Sequence, residues 1–474
     1  MLAEPRVIVG VLAAAAVGAL GLWLLYQRPQ RGLLALAAVV PFNGLLALVP
    51  GGASAAYWKE ALLGLTLLAT VVAPRTALRG VLRPAPRAPW LPALVALAVF
   101  GSVSALTTAG VLGLYAIKIT FFYVLILLAL WRTPFTARDR DHLVSILMLD
   151  GAVCALVGLW QQLVGPDYLV QLGYAYNDQV RTANGLLRSF STFDQPFPFG
   201  LYVMTSLLVG GAVALAEPRR LRNTLFLCAV PVLIAGMGVS IVRASYLGLI
   251  VGLLWLAVYR YRPLLIAFGV AAIGTAVSIT FISPKVLGSL FSSASLGQRS
   301  TGWSEIISDV LTHPLGLGLG TSGSAAERIA KATGRPASST YQPDNYYVKM
   351  VLELGPIGLW LFLLVLVSAV LSTLRAARIL TGRDAALALG VSASVVAAAV
   401  ASLVATYLEI FPLDVYFWLL LGVVGCAVSQ EAASQEAARK HSAERVPAVH
   451  SASASARSRC APAGVESKPT PANS

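Results

Sequence analysis

Charged side chains are scarce in this sequence. Only 12% of its 474 residues are charged, while 57% are hydrophobic, and the mean hydropathy is +0.76. Because a soluble domain has about 25% charged residues, this composition excludes an ordinary soluble protein. A membrane span needs ~20 apolar residues, so a chain of this length has room for about a dozen spans.

Cysteine is also rare. Of the four cysteines, Cys154, Cys228 and Cys426 lie within apolar runs, and Cys460 lies near the C-terminal end. They stand far apart, and their spacing is typical of neither a disulfide framework nor a zinc site. The cysteines therefore give no indication of a metal centre.

Long apolar runs recur through most of the chain. Backbone groups in lipid must be satisfied internally, and runs of this length achieve this as helices. The run at 57–73 is short and contains Lys59 and Glu60, so the sequence predicts an all-α polytopic membrane protein with about 12–13 transmembrane helices. The first run is predicted to be a retained span rather than a removed signal peptide. The runs lie at 7–26, 33–50, 57–73, 90–107, 111–131, 143–164, 197–216, 223–242, 244–258, 263–283, 347–374, 385–408 and 413–429.

Arginine is concentrated in short loops between these runs, where it explains most of the net charge of +14. The basic loops alternate with short loops that lack Lys and Arg, such as 51–56 and 409–412. The positive-inside rule puts the basic set in the cytoplasm, so the long loops 165–196 and 284–346 are predicted to lie outside. Membrane topology thus accounts for the charge without nucleic acid as a partner. The basic loops contain Arg28 and Arg31; Arg75, Arg79, Arg83 and Arg87; Arg132, Arg138 and Arg140; Arg219, Arg220 and Arg222; Arg260 and Arg262; and Arg375, Arg378 and Arg383.

The chain divides into two predicted parts. Residues 1–429 form a transmembrane domain, and residues 430–474 are rich in Ala, Ser, Glu and Arg without a sustained apolar face. This composition is typical of a disordered segment, so we predict a disordered cytoplasmic tail. The sequence shows no repeat and no clear inverted pair of broken helices, which disfavours a transporter built from repeats.

The long outer loop 284–346 contains one predicted helix. Apolar residues at i, i+3, i+4, i+7 and i+8 across 303–311 are typical of an amphipathic helix that lies on the membrane surface or against the bundle. Pro314 follows closely and ends it. No strand precedes the glycines that come next, so they favour a tight turn over a nucleotide site. These glycines occupy alternate positions: Gly316, Gly318 and Gly320.

Three arginines at the predicted outer side are candidates for binding an anion. Arg188 precedes a span, Arg243 lies between two apolar runs, and Arg299 precedes the amphipathic segment. Guanidinium groups stay charged and bind phosphate oxygens in a bidentate manner. Together these arginines suggest a site for a diphosphate carried on a lipid. The alternatives are snorkelling for Arg243, a solvated loop charge for Arg188, and contact with lipid phosphates for Arg299.

The stretch from Asp344 to Tyr347 closes the longest polar loop and begins a membrane helix. Asp344 has two interpretations: an N-cap, a position that Asp fills well, or a general base that takes a proton from an acceptor hydroxyl. A carboxylate held beside arginines stays ionised, which makes it a weak base. Asn345, Tyr346 and Tyr347 are candidates for contact with the acceptor.

Charged residues inside apolar runs are costly and usually face the interior of a helical bundle. Lys118 and Asp150 are of this kind, and they either pair with each other or line a substrate groove. Glu353 lies inside the helix that follows the long loop, and we interpret it as a structural residue or as part of this groove. Glu409 and Asp414 flank a short outer turn and are further candidates for an outer cavity.

Four sequence blocks resemble, in the same order, those of the O-antigen ligase and polymerase superfamily of bacterial membrane glycosyltransferases. The first combines arginine, aromatics, an acid and proline before a span, and the second centres on an arginine. The third joins arginine and tryptophan to a Pro-Leu-Gly-x-Gly run, and the fourth ends in Glu-x-Gly-x-x-Gly-Leu. The blocks are Arg188–Gly200, Val242–Gly248, Arg299–Trp303 with His313–Gly320, and Asp344–Leu359.

The resemblance implies a GT-C-like bundle with a large periplasmic loop that carries the short amphipathic helix. It implies a donor glycan on undecaprenyl diphosphate, with no metal and no cofactor. Arg188, Arg243 and Arg299 match the family arginines that hold the donor diphosphate. Asp344 takes the position of the family's loop histidine, which is proposed to activate the acceptor. Asp344 and Arg243 are therefore the predicted catalytic residues.

The missing histidine is a departure from the ligases of this family, and His313 lies too far upstream to be a match. An Asp-Asn pair is more similar to the repeat-unit polymerases. We therefore predict polymerisation of undecaprenyl-diphosphate-linked repeat units into exopolysaccharide or O-antigen at the outer face of the bacterial inner membrane. The alternatives are a ligase that transfers glycan to lipid A core or to protein, and a polysaccharide flippase or other transporter. The implied partners are the lipid-linked glycan, membrane lipids, and a chain-length regulator and flippase of the same pathway.

Overall fold

The computed structural model describes residues 18–49, 52, 56–72, 86–183, 185–266, 312–334 and 345–457, with side chains described as far as residue 440. Arg299, Asp344 and the predicted amphipathic segment 303–311 lie outside the described residues. Most of the predicted spans 7–26 and 263–283 also lie outside them, as does the tail beyond residue 457.

Helices make up most of the described chain. Residues 18–27 are helical, and a short antiparallel hairpin of β1 (Arg181–Ala183) and β2 (Leu186–Arg188) pairs Arg181 with Arg188. The further helices are α1 (Gln30–Val39), α2 (Trp58–Val72), α3 (Leu91–Ala109), α4 (Gly113–Phe121), α5 (Leu125–Arg132), α6 (Ala137–Gln171), α7 (Pro196–Ala216), α8 (Leu221–Val239), α9 (Arg243–Tyr259), α10 (Gly323–Thr333), α11 (Tyr346–Ile379), α12 (Gly382–Ala401) and α13 (Leu413–Arg457).

Within the described residues, 8 helical segments are long and apolar enough to cross a membrane. This finding confirms the predicted all-α polytopic membrane fold. Helix α9 is apolar but shorter, and two predicted spans lie mostly outside the described residues. The eight segments are Gln30–Leu48, Leu91–Arg132, Ala137–Gln171, Pro196–Ala216, Leu221–Val239, Tyr346–Ile379, Gly382–Ala401 and Leu413–Lys440.

The longest of these segments contains a reversal of the chain. Gly110, between α3 and α4, has φ +56°, a conformation that glycine adopts without steric cost. A Cβ built on Gly101 would lie 3.0 Å from a ring carbon of Phe121, and Gly113 lies against the carbonyl group of Ala105. Earlier residues of α3 thus contact later residues of α4, so the two helices run antiparallel. The runs predicted at 90–107 and 111–131 are separate elements, as the sequence indicates.

The centre of the bundle is formed by α7, α12 and α13. Their apolar windows are 83%, 78% and 89% buried inside the protein, against 28% for α8, which lies at the periphery. Close helix approach at the centre depends on small residues, which are the usual means of packing helices in lipid. Gly390 of α12, for example, lies against the Cβ atom of Ala212 and the backbone of Val209 in α7.

The predicted basic loops meet at one end of the bundle. Asp141 accepts hydrogen bonds from Arg220, Arg222 and Arg383 at distances of 2.7–3.1 Å, and Arg28 lies 3.5 Å from Asp139. These contacts join the start of α6 to loops that are distant in sequence. Alternating spans require such an arrangement, while the assignment of this end to the cytoplasm stays a prediction.

The last helix extends beyond the predicted boundary of the transmembrane domain. Helix α13 continues through Arg457, although the sequence from residue 430 onwards is typical of a disordered tail. Helical structure therefore covers residues 430–457. The tail's exposure to the cytoplasm stays a prediction.

Candidate functional site

The segment around Arg188 is fixed by two glutamines at the far end of α6, opposite the basic loops. Gln162 donates from Nε2 to the carbonyl oxygen of Leu187 at 2.7 Å and to the hydroxyl of Ser189 at 2.9 Å. The buried Gln161 donates to the carbonyl of Ser191 at 2.8 Å and accepts from its amide at 2.7 Å. These hydrogen bonds hold the backbone on both sides of the hairpin end.

The same segment is tied to the turn between α8 and α9. The amide of Ser189 donates to the carbonyl oxygen of Val239 at 3.0 Å. Ile241 in the turn has φ +51°, and the hydroxyl of Tyr246 donates to the carbonyl of Gly238 at 2.6 Å. Arg243 is the first residue of α9, so it lies at a helix N-terminus, where the helix dipole also favours an anion.

Arg188 and Arg243 are brought into one cationic region. Burial lowers the pKa of Arg188, and the nearby positive charges of Arg181 and Arg243 lower it further. The guanidinium carbon of Arg188 lies 5.2 Å from the ring centre of Phe197, and its buried Nε has no hydrogen-bond partner among the described residues. This region is half-buried, its charges have the same sign, and the Nε donor of Arg188 is available to a ligand. Such a region is suited to binding an anion such as a phosphate.

The start of α11 is capped by Asn345. Its side-chain oxygen accepts from the amides of Tyr347 at 2.9 Å and Val348 at 3.2 Å. The position that the sequence offers to Asp344 as an N-cap is therefore filled by the next residue, because the helix begins at Tyr346. The amide of Tyr346 donates to the carbonyl of Ser402 at 2.8 Å.

The two tyrosines that follow the cap are largely held by the protein. Tyr346 is 2% exposed, and its ring centre lies 5.0 Å from that of Phe362. The hydroxyl of Tyr347 donates to the carbonyl of Ala399 at 2.7 Å. Both side chains therefore anchor α11, and their predicted contact with an acceptor stays a prediction.

A buried cluster of charges surrounds Lys349, in the first turn of α11. Lys349 Nζ is 2.7 Å from Glu409 Oε2 and 3.5 Å from Glu353 Oε1. Glu353 Oε1 also accepts from the amide of Ser322 at 3.0 Å and from its hydroxyl at 2.7 Å. Sequence reasoning overlooked Lys349, although a lysine four residues before a glutamate on an apolar helix was a usable signal.

The glycine-rich run docks on a kink in α11. The amides of Leu317 and Gly318 donate to the carbonyls of Leu352 and Glu353, each at 2.9 Å. These carbonyls are free because Gly355, at φ +64°, interrupts the helix just before a proline. Positive φ at all three predicted glycines confirms the tight turn. Their φ values are +81° at Gly316, +109° at Gly318 and +90° at Gly320.

Lys118 and Asp150 do not pair, so that interpretation of the sequence is wrong. Lys118 Nζ lies 2.8 Å from Glu60 Oε1, because α4 brings it to the start of α2, beside Tyr57. Asp150 Oδ2, on α6, is buried without a hydrogen-bond partner among the described residues. The two charges thus belong to different parts of the bundle, and a groove shared by them has no support.

A second polar group lies beside the Arg188 segment. Asn43 donates from Nδ2 to Asp194 Oδ2 at 2.8 Å, and the indole of Trp58 donates to Asn43 Oδ1 at 3.1 Å. Lys59 lies 3.9 Å from the ring centre of Phe411. Asp194 is exposed and lies in the same sequence block as Arg188, so this block contributes an acid as well as an arginine to the outer end.

A known family matches the middle of the chain. Residues 204–363 match the family model described as O-Antigen ligase. The matched stretch runs from α7 into α11 and includes Arg243 and the docked glycine turn, whereas Arg188 lies just before it. No curated protein has a significant match to the chain. Together with the apolar helices, this match over part of the chain supports the predicted resemblance: the protein is a multi-pass membrane protein in which residues 204–363 are similar to the O-antigen ligase family.

Proposed function

We propose that this protein polymerises oligosaccharide repeat units carried on undecaprenyl diphosphate, at the outer face of the inner membrane. The observation that supports it most is the closeness of Arg188 to Arg243 and Arg181 at the end opposite the basic loops. Such a cationic region, at a helix N-terminus and next to an apolar bundle, suits a diphosphate whose lipid tail stays in the membrane.

The reaction is the attack of an acceptor sugar hydroxyl on the anomeric carbon of the donor glycan. A new glycosidic bond forms, the bond between that carbon and the diphosphate oxygen breaks, and undecaprenyl diphosphate leaves with the electron pair. Arg188, Arg243 and Arg299 stabilise the charge that develops on the leaving group. Preorganised donors aimed at a developing charge are worth about 3–4 kcal/mol each in such sites.

The hydroxyl proton goes to a base, for which we propose Asp344. This residue directly precedes the Asn345 cap in the sequence, at the start of the helix that the family model reaches. An aspartate in place of the family's histidine favours repeat-unit polymerisation. The alternative is a ligase, and the description of the matched family favours it.

The test uses purified protein in lipid nanodiscs with lipid-linked repeat units extracted from cells that lack it. Polymer length and free undecaprenyl diphosphate are measured together. We expect wild type to form polymer and release the lipid diphosphate, and Arg243→Ala to do neither while still inserting into membranes. Arg132→Ala, at the basic end, is the matched control and should retain activity.

Each other result has a defined meaning. Unchanged polymer length in Arg243→Ala would overturn the assigned role of this arginine. Transfer of glycan to lipid A core without polymer would assign a ligase, and movement of the donor without release of undecaprenyl diphosphate would assign a transporter. Asp344→Asn tests the base separately, because full activity in that variant would exclude it.

A further inference from the structure

A mostly apolar groove of about 240 Å³ lies at the basic end of the bundle and includes no residue of the four blocks discussed above. It runs between α11, α13 and the start of α3. Helix α13 contributes Leu421, Val424 and Val428, which share one face of the helix because they are spaced at i, i+3 and i+7. Leu371 of α11 is 48% exposed at its edge, so the groove opens to the surface that faces lipid.

Two arginines line this groove, and both are exposed. Arg87 precedes α3, with its amide held 3.0 Å from the hydroxyl of Ser429, and Arg375 lies in the last turns of α11. No acidic residue is among the groove's lining residues. Within the described part of the chain, neither guanidinium forms an ion pair. The groove therefore combines an apolar surface with two cations, and it supplies no acidic residue to balance their charge.

The hydroxyl groups of the groove are already engaged as donors. Ser372 and Thr373 both donate to the carbonyl oxygen of Ala369, at 3.0 Å and 2.8 Å. The arginine side chains are therefore the groove's strong donors for an acidic ligand. A small free anion would leave the apolar part unfilled, whereas a lipid fills both parts.

The geometry points to a binding site for one anionic phospholipid of the leaflet at the basic end. Its phosphodiester lies between Arg87 and Arg375, and one acyl chain lies along the groove between α11 and α13. Basic pockets between transmembrane helices recognise acidic lipid headgroups in this way. The site does not depend on the proposed polymerase reaction, because the candidate donor region lies at the opposite end.

The test is lipid retention by the full-length protein, purified in neutral detergent and analysed by mass spectrometry of the intact complex. Phosphatidylglycerol should be retained and phosphatidylcholine should not. Replacing both arginines, Arg87→Gln with Arg375→Gln, should weaken retention roughly 30-fold, and Arg375→Gln alone about fivefold. The control, Arg132→Gln with Arg378→Gln, removes the same charge at the same end outside the groove and should retain wild-type binding.

Two further arms separate a lipid from a free phosphate. Ser372→Phe fills the groove and leaves both arginines in place, so it should also abolish retention. Excess soluble glycerol phosphate should fail to displace the lipid. Equal retention of the two lipids by wild type, unchanged retention in the double arginine variant, or displacement by glycerol phosphate would each overturn the proposal. If the double variant aggregates, the single variant and Ser372→Phe decide the question.

Discussion

Lys349 Nζ lies 2.7 Å from Glu409 Oε2, and the two side chains are 1% and 6% exposed. The ammonium group also lies 3.5 Å from Glu353 Oε1, so one cation is shared by two carboxylates. The contact joins the start of α11 to the turn before α13. A buried pair of this kind contributes little net stability by itself, but the loss of one partner leaves an uncompensated buried charge.

We predict that Lys349→Met destabilises the protein by about 3–5 kcal/mol, because Glu409 then stays buried without its counter-charge. Adding Glu409→Gln to this variant should recover part of the loss, since one of the two buried carboxylates that lost their cation is then neutral. Thermal unfolding of the detergent-purified protein measures the effect. The recovery distinguishes loss of a charge partner from loss of the lysine's packing.

The matched control for this prediction is the exposed pair of Lys440 and Glu436, which are 2.8 Å apart on α13. Exposed pairs are screened by solvent, so Lys440→Met should leave the unfolding temperature unchanged. A Lys349→Met protein that unfolds at the wild-type temperature would contradict the prediction.

The second prediction concerns the loop that docks on α11. Glu353 Oε1 accepts two hydrogen bonds from Ser322. Glu353→Ala removes both and should release the turn, so amide hydrogen exchange at Leu317 and Gly318 should accelerate. Ser322→Ala removes one and should have a smaller effect. Thr333→Ala, on the exposed end of α10, should leave exchange at the turn unchanged, and equal exchange in Glu353→Ala and wild type would refute the docking role.

The features that follow from local pattern could be predicted from the sequence. Run length and hydropathy predict the helices, and the alternation of basic loops predicts that Arg220 and Arg383 share one end, where Asp141 binds both. The approach of Arg188 to Arg243 was also predictable, but only as a resemblance between ordered blocks. The positions of the two arginines in the sequence do not give the distance between them in the fold.

The contacts that depend on which helices are neighbours could not be predicted. Lys118 lies in an apolar stretch of sequence. Nothing in that stretch identifies Glu60, rather than Asp150, as the partner of Lys118. Likewise, the pairing of Lys349 with Glu409 joins residues that lie on different elements. The period of the apolar residues predicts which face of a helix is buried. The arrangement of the helices in the bundle decides which residues that face contacts.

The third prediction separates charge from geometry at the candidate donor site. Arg188→Ala should lower the polymerisation rate about 100-fold or more, because one preorganised cation is lost. Arg188→Lys should recover only part of this, since an ammonium keeps the charge but lacks the planar fork that binds two phosphate oxygens. Binding of undecaprenyl diphosphate to purified protein, measured beside the rate, should fall in the same order.

Arg328→Ala is the matched control for these variants, because Arg328 is an exposed arginine on α10. It should leave both the rate and the binding of undecaprenyl diphosphate at the wild-type level. If Arg188→Lys proves as active as wild type, the bidentate role is excluded and only a general charge effect is left.

The last prediction concerns the kink that receives the glycine turn. Gly355 has φ +64° and ψ −172°, a region used almost only by glycine, and an added Cβ would clash with the carbonyl oxygen of Pro314. Gly355→Ala should therefore destabilise the protein by the backbone strain of about 1–3 kcal/mol, and it should also displace the docked turn.

Gly110→Ala, at φ +56° with nothing within 4 Å of the new Cβ, should be destabilised by the backbone strain alone. Gly64→Ala, in the regular helix α2 with open space around it, should be neutral or slightly stabilising. Unfolding temperatures in the order Gly64→Ala, Gly110→Ala, Gly355→Ala, from highest to lowest, are expected. An equal fall in unfolding temperature for Gly355→Ala and Gly110→Ala would show that the contact with Pro314 adds nothing to the cost of backbone strain.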